Sequence, residues 1–561
     1  MTNPAEIRRG SRSHGSAREG DRSARAKGNT RSRTSTGRGA ATHKRTSTSR
    51  RPVRPERHVR QISAMKKTSF EVDQSMRKRF FYFGMFIVAL LGILVVRVTQ
   101  LQTWGRSAYL AESIDQRTRV NTIRASRGVI FDRNGNEIAL SVPTTTIWAD
   151  PRAITDPVAT SHTLATIIGL DAAAEADLLA KLSVHTSKFA YVAREMQKEN
   201  AQAVLDLGLP GVYSYIEPAR VIESGVAEAV IGRTDPDGLG TSGLELQFND
   251  TLTGVDGTQV RQVDNNGRSI PGTANNTVQP MPGDDIVSTL DKTIQYQMDA
   301  AVLNRVKFLS AKGGTAIAID SRTGDVLAMT NVKRRADGTV ALAQGNFGAV
   351  EAYEPGSVAK IFSISAALNE GVVAPETVLT VPGIVNIDNF PIRDAWPHGP
   401  LDMSVRTILA ESSNIGTMMV AEKLEFNRLH DYLSTFGFGQ HTGLNYPGES
   451  RGILKSVKKT YGTERSTVSY GYGFAASPLQ IVSAANVVAN GGTYVSPRLV
   501  SATVDRNGKK HETAASKTRD VLKPATAATM TDLMRDVVCY GTGERAKVKG
   551  MEIAGKTGTG Y

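Results

Sequence analysis

The chain has 561 residues, 40% of them hydrophobic and 22% charged, and a formal net charge of +14. That length excludes one small domain and predicts two to four units. The charge looks like a nucleic-acid signature, but residues 1–79 hold 22 Lys and Arg against 6 Asp and Glu, a surplus of 16 that leaves −2 for the remainder. The folded part is near neutral, and the charge is a tail.

In chain order, residues 1–60 are rich in Arg, Ser, Thr and Gly and almost empty of large apolar side chains. Such a segment buries too little surface to offset the entropy of ordering. Residues 1–79 are therefore predicted to be a disordered basic arm beside a membrane, able to meet anionic lipid or an acidic protein surface. No aromatic or helical reading element accompanies the charge, so nucleic acid is not expected as a partner.

Phe80 to Val96 is a 17-residue run without a charge. A spanning helix needs about 20 residues. Val98 and Leu101 extend the apolar face, and Arg97 can snorkel to the boundary. One membrane-spanning helix is predicted over 80–101. Arg77, Lys78 and Arg79 precede it, which places the N-terminus in the cytoplasm and everything after about residue 100 outside. The run is too long for a signal-peptide core, lies far from the N-terminus and has no clear cleavage site after it. Cys539 is the one cysteine, so no internal disulfide is expected. The nine His are scattered without ligand spacing, so no metal or other cofactor is expected.

Residues 102–290 read as a mixed α+β domain. Residues 104–124 form a polar stalk. Arg127 to Gly135 is a strand entering an Asn-Gly turn. Leu164, Ile167 and Ile168 have helical spacing, and residues 225–270 return to Gly-rich turns. Residues 291–561 read as a second α+β domain. Gly314–Asp320 and Asp325–Thr330 form an antiparallel hairpin. Helices are predicted at 357–370, 404–424 and 477–490, the last stopped by Asn490-Gly-Gly492. Met551 to Thr559 reads as a strand.

Chemistry gathers in this second domain. Pro355 and Gly356 precede Ser357, and an apolar run follows to Gly371. A helix apolar nearly all round is a buried one. Ser357 then sits in its first turn, where backbone N–H groups are free, and Lys360 lies on the same face. A serine hydroxyl is a poor nucleophile until a base takes its proton. A lysine against apolar surface has its charged form disfavoured and becomes such a base. The spacing is weak by itself: four Ser-x-x-Lys matches occur, and only Ser357/Lys360 opens a buried helix. Alone, Ser357 also fits a plain capping serine. Ser412-Ser413-Asn414 interrupts a helical run and can push a hydroxyl and an amide into a cleft. Gly555-Lys-Thr-Gly-Thr559 puts a lysine between glycines where an extended substrate backbone fits. The three elements in this order form the trio of β-lactamases and penicillin-binding proteins, with Ser-Asp-Asn as a common middle element.

From about residue 80 onward the chain resembles the class B penicillin-binding proteins, above all their septal peptidoglycan transpeptidases. The likeness rests on Arg97-Val-Thr-Gln-Leu-Gln102, Arg127–Gly135, Phe189-Ala-Tyr-Val-Ala-Arg194, Gly211-Val-Tyr213, Glu217-Pro-Ala-Arg220 and Gly240-Thr-Ser-Gly-Leu-Glu245. It continues through Tyr353-Glu-Pro-Gly-Ser357, Tyr446-Pro-Gly-Glu449 and Ser477-Pro-Leu-Gln480. The resemblance implies a pedestal (dimerisation) domain at 102–290 and a transpeptidase domain at 291–561. It implies that Ser357 attacks D-Ala–D-Ala of a stem peptide, with Lys360 as base, Ser412 as proton relay and Asn414 on the substrate amide. Lys556, Thr557, Gly558 and Thr559 would line the substrate, with the Ser357 and Thr559 N–H groups as oxyanion hole. β-Lactams, a polytopic glycosyltransferase and other divisome membrane proteins are the implied ligands and partners. Two departures stand out. The usual Arg-x-Tyr-Pro reads Arg220-Val-Ile-Glu223. The sequence stops at Tyr561, two residues past the last motif, where the family continues with further strands and a helix. On that reading the chain as given is expected to be a fragment, poorly stable or inactive. An elongation-type transpeptidase, a D,D-carboxypeptidase, a β-lactamase and a non-catalytic scaffold remain as alternatives.

Overall fold

The computed structural model describes residues 74–103, 118–223, 225–263, 270 and 276–560. The expected tail up to residue 73 and residues 104–117 of the expected stalk lie outside them, and the rest of that stalk is largely a paired strand, Thr118–Ile123. The apolar run lies in a helix of 29 residues, Gln74–Gln102. At 1.5 Å per residue its length exceeds the roughly 30 Å of a bilayer core. It starts ahead of Phe80 because Arg77, Lys78 and Arg79 are good helix formers as well as boundary charges.

The next region is built on strands: β1 (Thr118–Ile123), β2 (Ile130–Phe131), β3 (Glu137–Ala149), β4 (Ala190–Met196), β5 (Val212–Ile222), β6 (Gly257–Gln262), β7 (Asn276–Val278) and β8 (Asp285–Ser288). β2 and β3 form the hairpin read from Arg127 to Gly135, with Gly135 at φ +87°, the left-handed conformation an Asn-Gly turn requires. β3 pairs along most of its length with β5 and at its end with β4. Helices Pro157–Ile168, Ala172–Leu182 and Lys198–Leu205 bury Leu164, Leu178, Leu182 and Val204 against Ile147 of β3.

Four of the sequence segments that carry the family resemblance converge on two buried carboxylates. Glu245 receives Arg127 Nε at 2.5 Å and Arg220 Nε at 2.7 Å, and its side chain is fully buried. Arg220 Nη1 also donates to Gly128 O at 2.8 Å. Glu217 receives Arg194 Nε at 3.0 Å and the hydroxyl of Thr146. In the departing tetrad, Glu223 pairs with Lys292.

Past residue 290 come helix Lys292–Phe308 and the strands β9 (Gly313–Ile319), β10 (Val326–Arg334) and β11 (Val340–Leu342), an antiparallel sheet that contains the expected hairpin. Two strand pairs follow, β12 (Val378–Val381) with β15 (Leu401–Ser404), and β13 (Ile384–Ile387) with β14 (Phe390–Arg393). The last strands are β16 (Thr493–Val495), β17 (Val500–Val504), β18 (Lys510–Glu512) and β19 (Thr518–Asp520). β8 pairs with both β2 and β17, so one sheet runs through both sides of residue 290.

Helices Lys360–Asn369, Asn414–Glu422, Phe426–Phe436 and Pro524–Cys539 enclose a core around Phe362, which meets Phe436 and Phe438 at ring centroid distances of 5.1 and 4.9 Å. Helix Pro478–Ala489 opens on a Ser477/Gln480 capping box and stops ahead of Gly491 and Gly492 at φ +65° and +98°. The architecture is α+β, as expected. Two expectations are corrected. The helix at 404–424 is two helices, Val405–Ala410 and Asn414–Glu422, broken at Glu411–Ser413. Met551–Thr559 is not a strand among the described residues. A groove of about 340 Å³ is lined by Thr315 and Ile317 of β9 and by Ala554, Gly555 and Lys556, and no ladder joins the two segments among the described residues. The backbone of Met551–Thr559 is held by Gly555 N–H on Met534 O at 3.1 Å, and Glu552 pairs with Arg535 at 2.9 Å.

The Glu245 cluster gives the first prediction. Glu245→Ala leaves two guanidinium groups without their buried counter-charge, which costs about 3–5 kcal/mol. Thermal unfolding of the solubilised protein is expected to show a lowered midpoint, with Glu245→Gln between the two.

Candidate active site

Ser357 is presented by an unusually tight piece of backbone. Gly356–Ala359 is a 3-10 turn that runs into the α-helix at Lys360, so the helix expected from Ser357 begins one turn later. The reason is crowding. Gly356 has φ +55° and donates its N–H to Gly471 O at 3.1 Å. A Cβ on Gly356 would overlap the Thr559 carbonyl, one on Gly471 would overlap the Gly356 carbonyl, and one on Gly560 would overlap the Glu354 carbonyl. Only glycine tolerates such approach. Glu354 adds a bond from Gly473 N at 2.8 Å, and Tyr472 Oη donates to Thr559 O at 3.2 Å.

Ser357 is half-buried, and its Oγ has no hydrogen-bond partner among the described residues. Lys360, one turn on, is fully buried within an apolar helix. Its Nζ lies 2.5 Å from Ser412 O, 2.8 Å from Asn414 Oδ1 and 3.2 Å from Ser412 Oγ. Ser412 holds φ +60°, a left-handed conformation that costs a non-glycine residue roughly 1–2 kcal/mol. That twist between two helices turns both its carbonyl and its hydroxyl onto Lys360.

Lys556 approaches from the other side. Its Nζ donates to Ser412 Oγ at 2.8 Å and to Thr557 O at 3.1 Å. Thr557 Oγ1 meets Thr542 Oγ1 at 2.8 Å. Thr557, Gly558 and Thr559 are exposed, and Gly558 packs on Val358 so closely that a Cβ would collide. The Thr559 N–H has no partner among the described residues.

Burial pushes the Lys360 ammonium well below the usual lysine range, the charge of Lys556 pushes it further, and Asp394 pulls the other way. Burial also brings Lys556 down to about 8. Two of the three contacts of Lys360, Ser412 O and Asn414 Oδ1, can only accept, and two N–H bonds satisfy them. The third, Ser412 Oγ, accepts from Lys360 Nζ at 3.2 Å and from Lys556 Nζ at 2.8 Å, and it is burial that disfavours the charged form of Lys360. A base, a relay hydroxyl and a second amine thus stand in one hydrogen-bonded line beside a free serine hydroxyl.

All eight residues singled out from the sequence gather here. Comparison with known proteins agrees in kind. Residues 314–561 match the family described as penicillin binding protein transpeptidase domain, and residues 122–288 match the penicillin-binding protein dimerisation domain. The peptidoglycan D,D-transpeptidase FtsI of Escherichia coli is 32% identical over 486 residues, covering 84% of this chain and 79% of the relative. The chain is a class B penicillin-binding protein. The penicillin-binding protein PbpB of Mycolicibacterium smegmatis is 30% identical, with 87% and 82% covered. Among solved structures, penicillin binding protein 3 of Mycobacterium tuberculosis with aztreonam superposes at a TM-score of 0.59 and 27% identity, covering 78% of this chain and 82% of that one. A peptidoglycan synthetase of Bifidobacterium adolescentis superposes at 0.61 and 28%, with 79% and 86% covered.

Sequence reasoning missed several residues that shape this site. Gly356 and Gly471 serve as contact points, Tyr472 and Glu354 as struts, and Thr542 as the partner of Thr557. Their roles depend on contacts between distant segments, and only the Pro-Gly before Ser357 hinted at one of them. The sign of the Lys556 effect yields a prediction. Lys556→Gln removes a positive charge, so Lys360 holds its proton to higher pH. The acid limb of the pH profile for acylation by a fluorescent penicillin is expected to move to higher pH, with about tenfold lower rate on that limb per unit moved.

Proposed function

We propose that the protein is a peptidoglycan D,D-transpeptidase of the division septum, acting through a Ser357 acyl-enzyme. The observation that carries this is Ser412 Oγ held between Lys360 Nζ and Lys556 Nζ beside the Ser357 turn. Ser357 Oγ attacks the penultimate D-Ala carbonyl and passes its proton to the neutral Lys360 amine. Negative charge gathers on the carbonyl oxygen, toward the free N–H groups of Ser357 and Thr559. The C–N bond breaks, and the departing D-Ala amine takes a proton through Ser412 Oγ. An amine of a second stem peptide then attacks the ester, and the same groups run in reverse. Asn414 holds the donor's amide, and Lys556 with Thr557, Gly558 and Thr559 receives its terminal carboxylate. β-Lactams acylate Ser357 in place of the substrate.

The likeness to FtsI and PbpB supports the septal assignment. The Gln74–Gln102 helix with three cations near its start supports an anchor whose N-terminus is cytoplasmic. On this reading residues 1–79 are a cytoplasmic tail, 102–290 the pedestal and 291–561 the transpeptidase domain outside the membrane. A polytopic glycosyltransferase and other division proteins are the proposed partners.

Labelling of membranes with a fluorescent penicillin tests the reaction. The protein is expected to label, Ser357→Ala to lose all label, and Lys360→Ala to lose at least about 10² in acylation rate. Full labelling of Ser357→Ala would sink the assignment.

A further inference from the structure

The hairpin of β13 and β14 turns on Asp388 and Asn389, both left-handed at φ +49° and +66°. It delivers Asp394 to the base of the Ser412–Asn414 turn. The Asp394 side chain is fully buried and four donors converge on it. Oδ1 accepts from Asn414 N at 2.5 Å and Ile415 N at 3.0 Å. Oδ2 accepts from Ser413 Oγ at 2.6 Å and His398 Nε2 at 3.0 Å. Next to it, Arg393 O accepts from Asn414 Nδ2 at 2.9 Å, which turns Asn414 Oδ1 toward Lys360.

His398 completes the arrangement. Its Nδ1 faces Gly399 O at 2.6 Å and its Nε2 faces the carboxylate. Both partners can only accept, so the ring meets both as an imidazolium. These two contacts hold its proton above the ordinary histidine range, the Gly399 bond first and Asp394 after it. The charged and titratable groups around Asp394 are His398 on its own loop, Lys360 on the buried helix, Tyr470 on the neighbouring 3-10 turn and Lys556 across Ser412. Asp394 supplies the negative charge felt by Lys360.

We propose that Asp394, clamped by His398, is a positioning residue for acyl transfer: it ties down the strained Ser412–Asn414 turn against Lys360 and is the counter-charge to Lys360. The carboxylate does not touch the substrate. It acts through Ser412, Asn414 and Lys360, and a bare helix cap would do only the first half of this. The proposal rests on the acyl-transfer reading above.

The test is the pH profile of acylation by a fluorescent penicillin, measured on the protein, Asp394→Asn and Lys556→Gln. Asp394→Asn loses ties on the turn, so the plateau rate is expected to fall by up to about 100-fold, as for misplaced catalytic groups. It also loses the negative charge, so Lys360 gives up its proton sooner and the acid limb moves to lower pH, opposite to Lys556→Gln. A lower plateau with an unmoved limb overturns the counter-charge and leaves a structural cap. If Lys556→Gln moves the limb while Asp394→Asn changes neither plateau nor limb, this proposal fails alone. If neither variant moves the limb, the base role of Lys360 fails, and the proposal with it. Should Asp394→Asn fail to accumulate, His398→Ala removes one donor from the carboxylate. Its plateau is expected to fall about 2- to 10-fold, the worth of one hydrogen bond, and a rate and limb equal to the parent's overturn the clamp.

Discussion

A lysine amine taken wholly out of water is the constraint around which this protein is arranged. Burying an ammonium is costly unless it is paired, and shedding the proton is the way out. The fold enforces this choice. Phe362 and its neighbours hold the Lys360 helix in the core, and the charge of Lys556 disfavours a second ammonium beside it. Everything else in the site follows from where that nitrogen lies. Ser412 accepts backbone strain to face it, and Lys556 comes near enough to discourage its charge.

The strain and the burial need support from outside the motifs. The Lys360 helix packs on Asn414–Glu422, Phe426–Phe436 and Pro524–Cys539. The break between Val405–Ala410 and Asn414–Glu422 is kept open by Ser413, which caps the second helix through Gly416 N at 2.8 Å. The sheet that includes β8 and β17 joins this catalytic half to the region before residue 290. In that region buried carboxylates bind arginines from segments far apart in sequence and so join chain crossings.

Much of this was legible because certain residues announce a local structure. Asn134-Gly135 required a hairpin, the uncharged run after Arg79 required a long helix, and Ser477 with Gln480 required a cap. The three motifs around Ser357, Ser412 and Lys556 were legible as a set, since each alone is ambiguous. What could not be read was contact at a distance. The sequence places Asp394 eighteen residues before Ser412 with nothing to join them; the link is a hairpin and three donors. The interruption at Ser412-Ser413-Asn414 was legible, but not that it ends one helix at Ala410 and starts another at Asn414. Met551–Thr559 joins no ladder among the described residues, and a strand exists only with a paired neighbour, which the segment's own sequence does not specify.

The interlocked glycines carry a consequence for how such a protein can change. Gly356, Gly471 and Gly560 each face a carbonyl oxygen of another segment, not a side chain that could be trimmed to make room. A lineage exposed to drugs that imitate its substrate therefore has no freedom at the floor of the nucleophile. Its room for variation lies in the parts that aim the site from behind, such as the Asp388–Asn389 turn and the loop to His398. On the acyl-transfer reading proposed above, a change there would reach Ser357 through the Ser412–Asn414 turn rather than through the floor beneath it.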